Sequence, residues 1–565
     1  MQQEKEVIPK VFIREISFSD GTKIELESEE IVVMVGPNNA GKSRALMDIR
    51  NLIHRSNLTD NINAICVTNI SIGRTSDATN FKTAWEQNFQ LGKGSANTLM
   101  AGPYRIVVDW AESYLAKDEI EFLGQLAPFC CKLIDADSRL DSTKNQQHVQ
   151  PNQQGEKPSH FLYDSNELLA QTSILFKSVF GEDLVLDYKG GSVIPIHVGV
   201  KPELEANQQV IDPAYVEKVR KLPSLQEQGH GMRCFAGLLL ETLVTRHDIT
   251  LIDEPEAFLH PPQARRLGTM FGQEAPNQMI LATHSIDLLK GLLDQETSKV
   301  RIIRITRGAH QNHPHEINPS EVFELRKTPE LRYSNIMDGI FHELAVLCEA
   351  DADCKLYNIV AEFLRELGEI SIDVAFFPCN GKSGITKAAA SMRKLGVETS
   401  GILDIDLLAD KEHLKRTVSS FGGKWADIET DWQKLDTVVR DGVSAKTADE
   451  IRCDIGSLLT ATAGQELPKG EINDLLRQNK PWQIVKKGGH AVIPQGVGQD
   501  SYNKIECYLR GIGIHLVRVG EIENFFQDVG GHGPKFVQRV LEQFSLDEEE
   551  FSQIRQFVRS VLSGH

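Results

Sequence analysis

The chain has 565 residues, 41% hydrophobic and 25% charged, with 61 Lys and Arg against 79 Asp and Glu, a formal net charge of −18. A chain of this length exceeds one hydrophobic core and is expected to form roughly two to four domains; it has no apolar run of the roughly 20 residues a membrane span needs, and its acidic balance argues against a protein that coats nucleic acid, though not against a local basic groove. Nine scattered cysteines form no C-x-x-C pair and no zinc-spaced cluster, and the start, MQQEKEVIPK, lacks a signal-peptide core, so reduced thiols, a cytoplasmic setting and no membrane association are expected.

Residues 10–35 read as strands: VFIREISF and KIELES alternate, and Asp20-Gly21 between them signals a hairpin. The run Ile31-Val32-Val33-Met34-Val35 leads into Gly36-Pro37-Asn38-Asn39-Ala40-Gly41-Lys42-Ser43, and a helix is predicted over Ser43–His54. This is G-x-x-x-x-G-K-S between a strand and a helix, where backbone N–H groups and a helix N-terminus can cradle phosphates. Gly36, Asn38, Asn39, Ala40 and Gly41 then form the loop, Lys42 reaches the β- and γ-phosphates, and Ser43 ligates Mg²⁺. Further on, Tyr104–Cys131 has helical periodicity, 138–160 reads as an exposed polar loop, Ser165–Phe180 as a helix, and Leu184–Tyr188 with Ser192–Val198 as a hairpin. Residues of about 90–215 therefore look like an insert, a candidate dimerisation element.

After a glycine-bearing loop and an amphipathic helix over 222–245, Ile249–Asp253 is a buried strand ending in Asp253-Glu254-Pro255-Glu256. A helix is expected over Phe258–Phe271, then strand Met279–Ala282 before Thr283-His284-Ser285, and a closing strand at Val300–Thr306. Asp253 stands where a P-loop protein needs a carboxylate for Mg²⁺, Glu254 where one orients or deprotonates the attacking water, and His284 where a side chain could contact the γ-phosphate.

This order, P-loop, glycine loop, LIDEPEAFLHP, LATHS, resembles the ABC-type ATPases, in particular their SMC/RecF-like branch, over about residues 10–306. The resemblance implies that Lys42 and Ser43 bind ATP and Mg²⁺, that Asp253 is the Walker B carboxylate and Glu254 the catalytic base, that His284 is the switch histidine, and that Gly231 is the signature glycine. The segment QGHGMR departs from the signature, with no serine two positions before Gly231. Because ABC heads sandwich ATP between protomers, the resemblance also implies a homodimer or higher homo-oligomer.

From Phe341 the pattern restarts. Leu344–Cys348, Asp373–Cys379, Ser400–Ile405, Ala491–Pro494 and Ile514–Val519 are five short apolar runs, mostly separated by helical segments, which predicts a second α/β unit with a largely parallel sheet. Residues 411–485 read as a helical insertion and the last 30 as an amphipathic helical tail. Glu349 ends the first run, with Asp353 four residues on; Asp404 and Asp406 end the third; Glu521 and Glu523 follow the last. Strand C-termini are where open α/β sheets bind ligands. Carboxylates converging there would repel one another unless they shared hard cations, Mg²⁺ or Mn²⁺, and two such ions suit phosphodiester cleavage.

E-x-x-x-D followed by D-x-D, each after an apolar strand, resembles a TOPRIM domain, with Ala350 in the place of that motif's usual glycine and Asn380-Gly381-Lys382 fitting after the second strand. By that resemblance Glu349, Asp404 and Asp406 are catalytic, all six acids are candidate metal ligands, and Lys535 in GGHGPKF is the candidate lysine for stabilising charge on the phosphate. An ABC ATPase domain at 1–320 followed by a TOPRIM domain at 335–565 resembles the OLD (overcoming lysogenisation defect) family of nucleases. That implies an α/β protein acting as an ATP-regulated, metal-dependent endonuclease or nickase on double-stranded DNA in anti-phage defence. Such proteins work alone, with a helicase-like partner (Gabija), or with a retron reverse transcriptase and its DNA–RNA product. The alternative is an ATP-binding sensor or scaffold with little nuclease activity of its own.

Overall fold

A computed structural model describes residues 9–563, except 58–59, 61, 88–91, 94–96, 102–103, 150–154, 246, 275–276, 295–298, 309–310, 327–334, 444–446, 465 and 478–479. The first eight residues, most of MQQEKEVIPK, thus lie outside the described residues. The chain divides into two compact units, Met1–Lys327 and Thr328–His565.

The first unit is built on a six-stranded sheet in the order Asn312–Ile317, Val300–Arg307, Ile31–Val35, Gln278–Ala282, Ile249–Asp253, Cys131–Ile134. All neighbours run parallel except the pair formed by Asn312–Ile317 and Val300–Arg307. Strands Ile31–Val35 and Gln278–Ala282 are buried at every residue, which is why they read as unbroken apolar runs rather than alternating ones. Asp253 is in register with Ala282, and Ala282 with Met34, so the P-loop and the DEPE turn leave the sheet at the same edge. The expected hairpin forms across Asp20-Gly21 between Val11–Phe18 and Lys23–Glu25, and a third strand, Val67–Arg74, joins it from a stretch without a clear sequence pattern.

Three expectations for this unit need correction. Strand Cys131–Ile134 lies inside the stretch read as an insert, yet it closes one edge of the main sheet. Four residues between helical neighbours are too few to show a strand period. The stretch 138–160 is no exposed loop throughout: helix Ala136–Ser142 is capped by Asp135, and Pro158–Asp164 is a helix with Pro158 through Leu162 buried. The helix expected from Phe258 begins at Pro261, because the DEPEAF turn holds Glu254 at φ 45° and Phe258 at φ 66°.

Gly36 opens the P-loop at φ 140°, and a Cβ there would lie 2.1 Å from the carbonyl oxygen of Ile305 on the adjacent strand. Gly36→Ala is therefore expected to cost roughly 2–5 kcal/mol through backbone strain and a forced strand shift, read as a lowered urea midpoint.

The second unit has a four-stranded parallel sheet in the order Val374–Pro378, Leu344–Cys348, Glu398–Asp404, Ile514–Val517. Ala491–Pro494 is not a strand. His490–Val492 forms a single 3-10 turn between Gly489, at φ 67°, and Pro494, and these two breakers leave no room for a ladder. Among the described residues five α-helices lie within 411–488, anchored by the Trp432 indole N–H on the Leu408 carbonyl (2.9 Å) and that of Trp482 on Asp436 (2.8 Å). The C-terminal helices are more than a tail: Phe536, Val540, Phe551, Ile554 and Val558 are buried in one cluster with Leu344, Val346 and Leu356.

Candidate functional site

The P-loop helix runs from Lys42 to His54, capped by Gly41 at φ 99°, and Asn39 turns the loop at φ 60°. The Asn312 side-chain N–H donates to the Ala40 carbonyl at 2.6 Å, bracing the loop from the edge strand. Lys42 is 4% exposed, and its ammonium donates to the carbonyls of Gly36 (2.8 Å) and Pro37 (2.7 Å). Burial pushes its pKa down to about 8, against the pull of Glu254, Asp253 and Glu256. Ser43 and Asp253, distant in sequence, meet: the Ser43 hydroxyl donates to Asp253 Oδ1 at 2.8 Å. Burial, with the Glu254 charge beside it, raises the Asp253 pKa.

His284 Nε2 lies 3.8 Å from Glu254 Oε1. Its imidazole pKa is lowered by burial and by the Lys42 charge, which favours the neutral ring. Glu256 Oε1 accepts from the Thr283 hydroxyl (2.7 Å) and from the His284 backbone N–H (2.8 Å), fixing the turn that presents His284. Gly231 sits in the first turn of helix His230–Leu239, where a Cβ would come 2.6 Å from the Phe258 carbonyl oxygen. Asn38 and Asn39 are exposed on the loop.

Sequence reasoning missed Arg139. It is fully buried and donates to the carbonyls of Glu254 (2.9 Å), Asp253 (3.4 Å) and Asp135 (3.1 Å). The stretch read as an insert thus holds the backbone of both acids. Arg139→Ala is expected to leave these carbonyls without their donor, cost about 3 kcal/mol of unfolding free energy and slow ATP turnover by loosening Glu254; denaturant titration and a steady-state phosphate assay check the two effects.

In the second unit the strand register brings Glu349, Asp404 and Asp406 to one sheet edge. Glu349 Oε1 accepts from the Asp404 backbone N–H at 3.0 Å. Asp353 caps its helix by accepting from the Ala350 N–H at 3.1 Å. The acids are mutually felt. Burial and the Asp404 charge push Glu349 up to about 7 and Asp353 up to about 6, and burial also raises Asp404 and Glu521. Glu523, paired with His532 at 3.1 Å, adds to the field on Asp353.

Lys382, of the NGK turn, and Lys486 meet these acids; Lys535 does not. Lys486 lies 2.8 Å from Asp404, 3.7 Å from Asp406 and 3.8 Å from Glu521, and its ammonium is strengthened by all three. Lys382 pairs with Asp406. Lys535 is exposed on the first turn of helix Pro534–Gln543, and no ion pair joins it to the acids among the described residues. The donor chemistry, carboxylates only, fits a hard cation. Among the described residues, however, no three His, Cys, Asp or Glu are gathered as a metal cage; ammonium groups stand between the acids instead.

Residues 203–290 match the family model described as "AAA domain, putative AbiEii toxin, Type IV TA system". No curated protein matches the chain. Among solved structures it is similar to an SMC head bound to the C-winged helix domain of ScpA, at 12% identity and a TM-score of 0.35, over 55% of this chain and 99% of that one. Similar too are the SMC head domain of Thermotoga maritima, at 12% identity and 0.28, over 55% and 100%, and the Smc head of Pyrococcus furiosus with an extended coiled coil, at 12% and 0.32, over 56% and 98%. The matched segment holds Gly231, Asp253, Glu254 and His284, and Ser43 of the loop hydrogen-bonds to its Asp253. The first unit thus joins a P-loop, through Ser43, to a segment that matches an AAA-domain model.

Proposed function

We propose that the protein is an ATP-regulated, Mg²⁺- or Mn²⁺-dependent endonuclease or nickase of double-stranded DNA, built as an ABC-type ATPase domain at 1–320 and a TOPRIM domain at 335–565, in the manner of the OLD family. The observation that carries this reading is the convergence of Glu349, Asp353, Asp404 and Asp406 at one parallel-sheet edge, where burial raises the carboxyl pKa values of Glu349, Asp353 and Asp404. Acids held together against repulsion are a common mark of catalytic sites. Glu349, Asp404 and Asp406, with Asp353, Glu521 and Glu523 around them, would hold the cations; bound Mg²⁺ or Mn²⁺ supplies an activated water and stabilises the leaving oxygen. Lys382 and Lys486, rather than Lys535, are the cationic side chains at hand for a phosphate. In the first unit Asp253 and Ser43 would hold Mg²⁺, and Glu254 would act on water.

The family description names a toxin system, which supports a defence role; in this reading the protein acts in the cytoplasm as a homodimer or larger homo-oligomer, alone or with a helicase-like protein or a reverse transcriptase and its DNA–RNA product. Supercoiled plasmid incubated with the protein and Mg²⁺ or Mn²⁺, with and without ATP, tests the reading. Nicking or linearisation is expected; no cleavage under any metal condition would sink it. That outcome would favour the second reading, an ATP-binding sensor or scaffold, whose specific support is Lys486 standing among the acids in place of a ready metal cage.

A further inference from the structure

We infer that a cavity beside strand Ile514–Val517 is a binding site for a small phosphate-bearing molecule with a planar body, of the chemistry of a nucleoside monophosphate. The cavity has a volume of about 450 Å³ and lies between that strand and the C-terminal helix Ser552–Leu562. Ligand sites run from about 300 to 1,000 Å³. Ile514–Val517 is the end strand of its sheet, so its outer side faces the cavity rather than another strand.

The charges in the cavity do not balance. Glu506, 5% exposed, takes Arg518 through both carboxylate oxygens and Arg510 at 3.3 Å on one of them. Two guanidiniums share one carboxylate, which leaves a surplus positive charge and unused N–H donors on two planar forks. Such a pair suits a phosphate better than a point cation would. In the same lining the rings of Phe525 and Phe557 stand 5.8 Å apart at 41°, an apolar surface on which a base can stack. Tyr502 packs behind the cavity lining. It is fully buried, its hydroxyl has no hydrogen-bond partner among the described residues, and it lies within the field of Glu506, Arg510 and Arg518. Its ring stacks on His490, which lines the cavity.

The site is separate from the P-loop, so the test silences the P-loop first. Full-length protein is saturated with a slowly hydrolysed ATP analogue, and AMP, inorganic phosphate and adenosine are titrated in separately by calorimetry. AMP is expected to bind once per chain, with phosphate alone and adenosine alone each at least about tenfold weaker. Arg510→Glu removes an exposed guanidinium, and Gln556→Trp fills the cavity mouth from the C-terminal helix. Each is expected to weaken AMP by about tenfold while the ATP analogue binds as in the wild type. If Arg510→Glu fails to fold, Gln556→Trp carries the test alone. Absence of AMP binding at millimolar concentration, affinity unchanged in the variants, or phosphate binding as tightly as AMP would each overturn the inference.

Discussion

Asp404→Ala is expected to abolish DNA cleavage and to leave ATP binding intact. The expected loss is at least about a hundredfold in nicking rate, since a carboxylate central to a charged site is removed along with its effect on Glu349 and Lys486. Plasmid nicking reads the first effect and nucleotide-analogue binding the second; cleavage within a few fold of wild type would refute the placing of the nuclease site. The pH profile follows from the same charges. Glu349 and Asp353 titrate near 7 and 6, so their ionised forms accumulate as pH rises through that window, and cleavage is expected to rise with them. Stability moves the other way. Both folded pKa values lie above the usual 4.5 and 3.8, so the folded chain holds protons that the unfolded chain has released. The stability these groups contribute is complete below about pH 4 and is lost as pH rises to about 7.

Lys42→Ala is expected to lower ATP affinity by at least about tenfold and turnover by about a hundredfold or more, because no other lysine or arginine of the loop can take the γ-phosphate charge. Equilibrium binding of a labelled ATP analogue and a phosphate-release assay check it. Wild-type protein offers a sharper signature. Lys42 titrates near 8 in the free chain, so above that pH much of it is neutral, and ATP must recruit a proton to it. Binding enthalpies measured in buffers of different ionisation enthalpy should show proton uptake at pH 8.5, absent at pH 6.5 and absent in the variant. For stability the sign follows from the lowered pKa: between about 8 and 10.5 the unfolded chain holds the extra proton, so this lysine's contribution grows as pH rises through that range.

What could be read from the sequence was what local pattern encodes. Gly36–Ser43 needs a strand before it and a helix after it, and both carry their own signals. The acids could be located because each follows an apolar strand. What could not be read depends on distant backbone. Arg139 matters through carbonyls 114 and 115 residues away, and nothing near it in the chain announces that. Lys486 lies on a short helix of the inserted segment and meets the acids only once that segment folds back. Lys535 is a candidate only through the resemblance to TOPRIM nucleases, and it stands exposed on the first turn of helix Pro534–Gln543. Ala491–Pro494 misled because hydropathy counts its side chains and ignores the breakers on either side.

The edge strand Cys131–Ile134 also bears on how the protein can be cut. A segment that looks like an appendage invites deletion to obtain a minimal ATPase. Removing 90–215 would strip one of the two partners from Ile249–Asp253 and leave the outer ladder groups of the largely apolar run Ile249–Ile252 open. Such an edge recruits other chains into sheets. A truncated protein should therefore precipitate or form filaments rather than shrink to a smaller enzyme, whereas one that keeps 131–142 retains both the closing strand and the arginine that holds the two carboxylates in place.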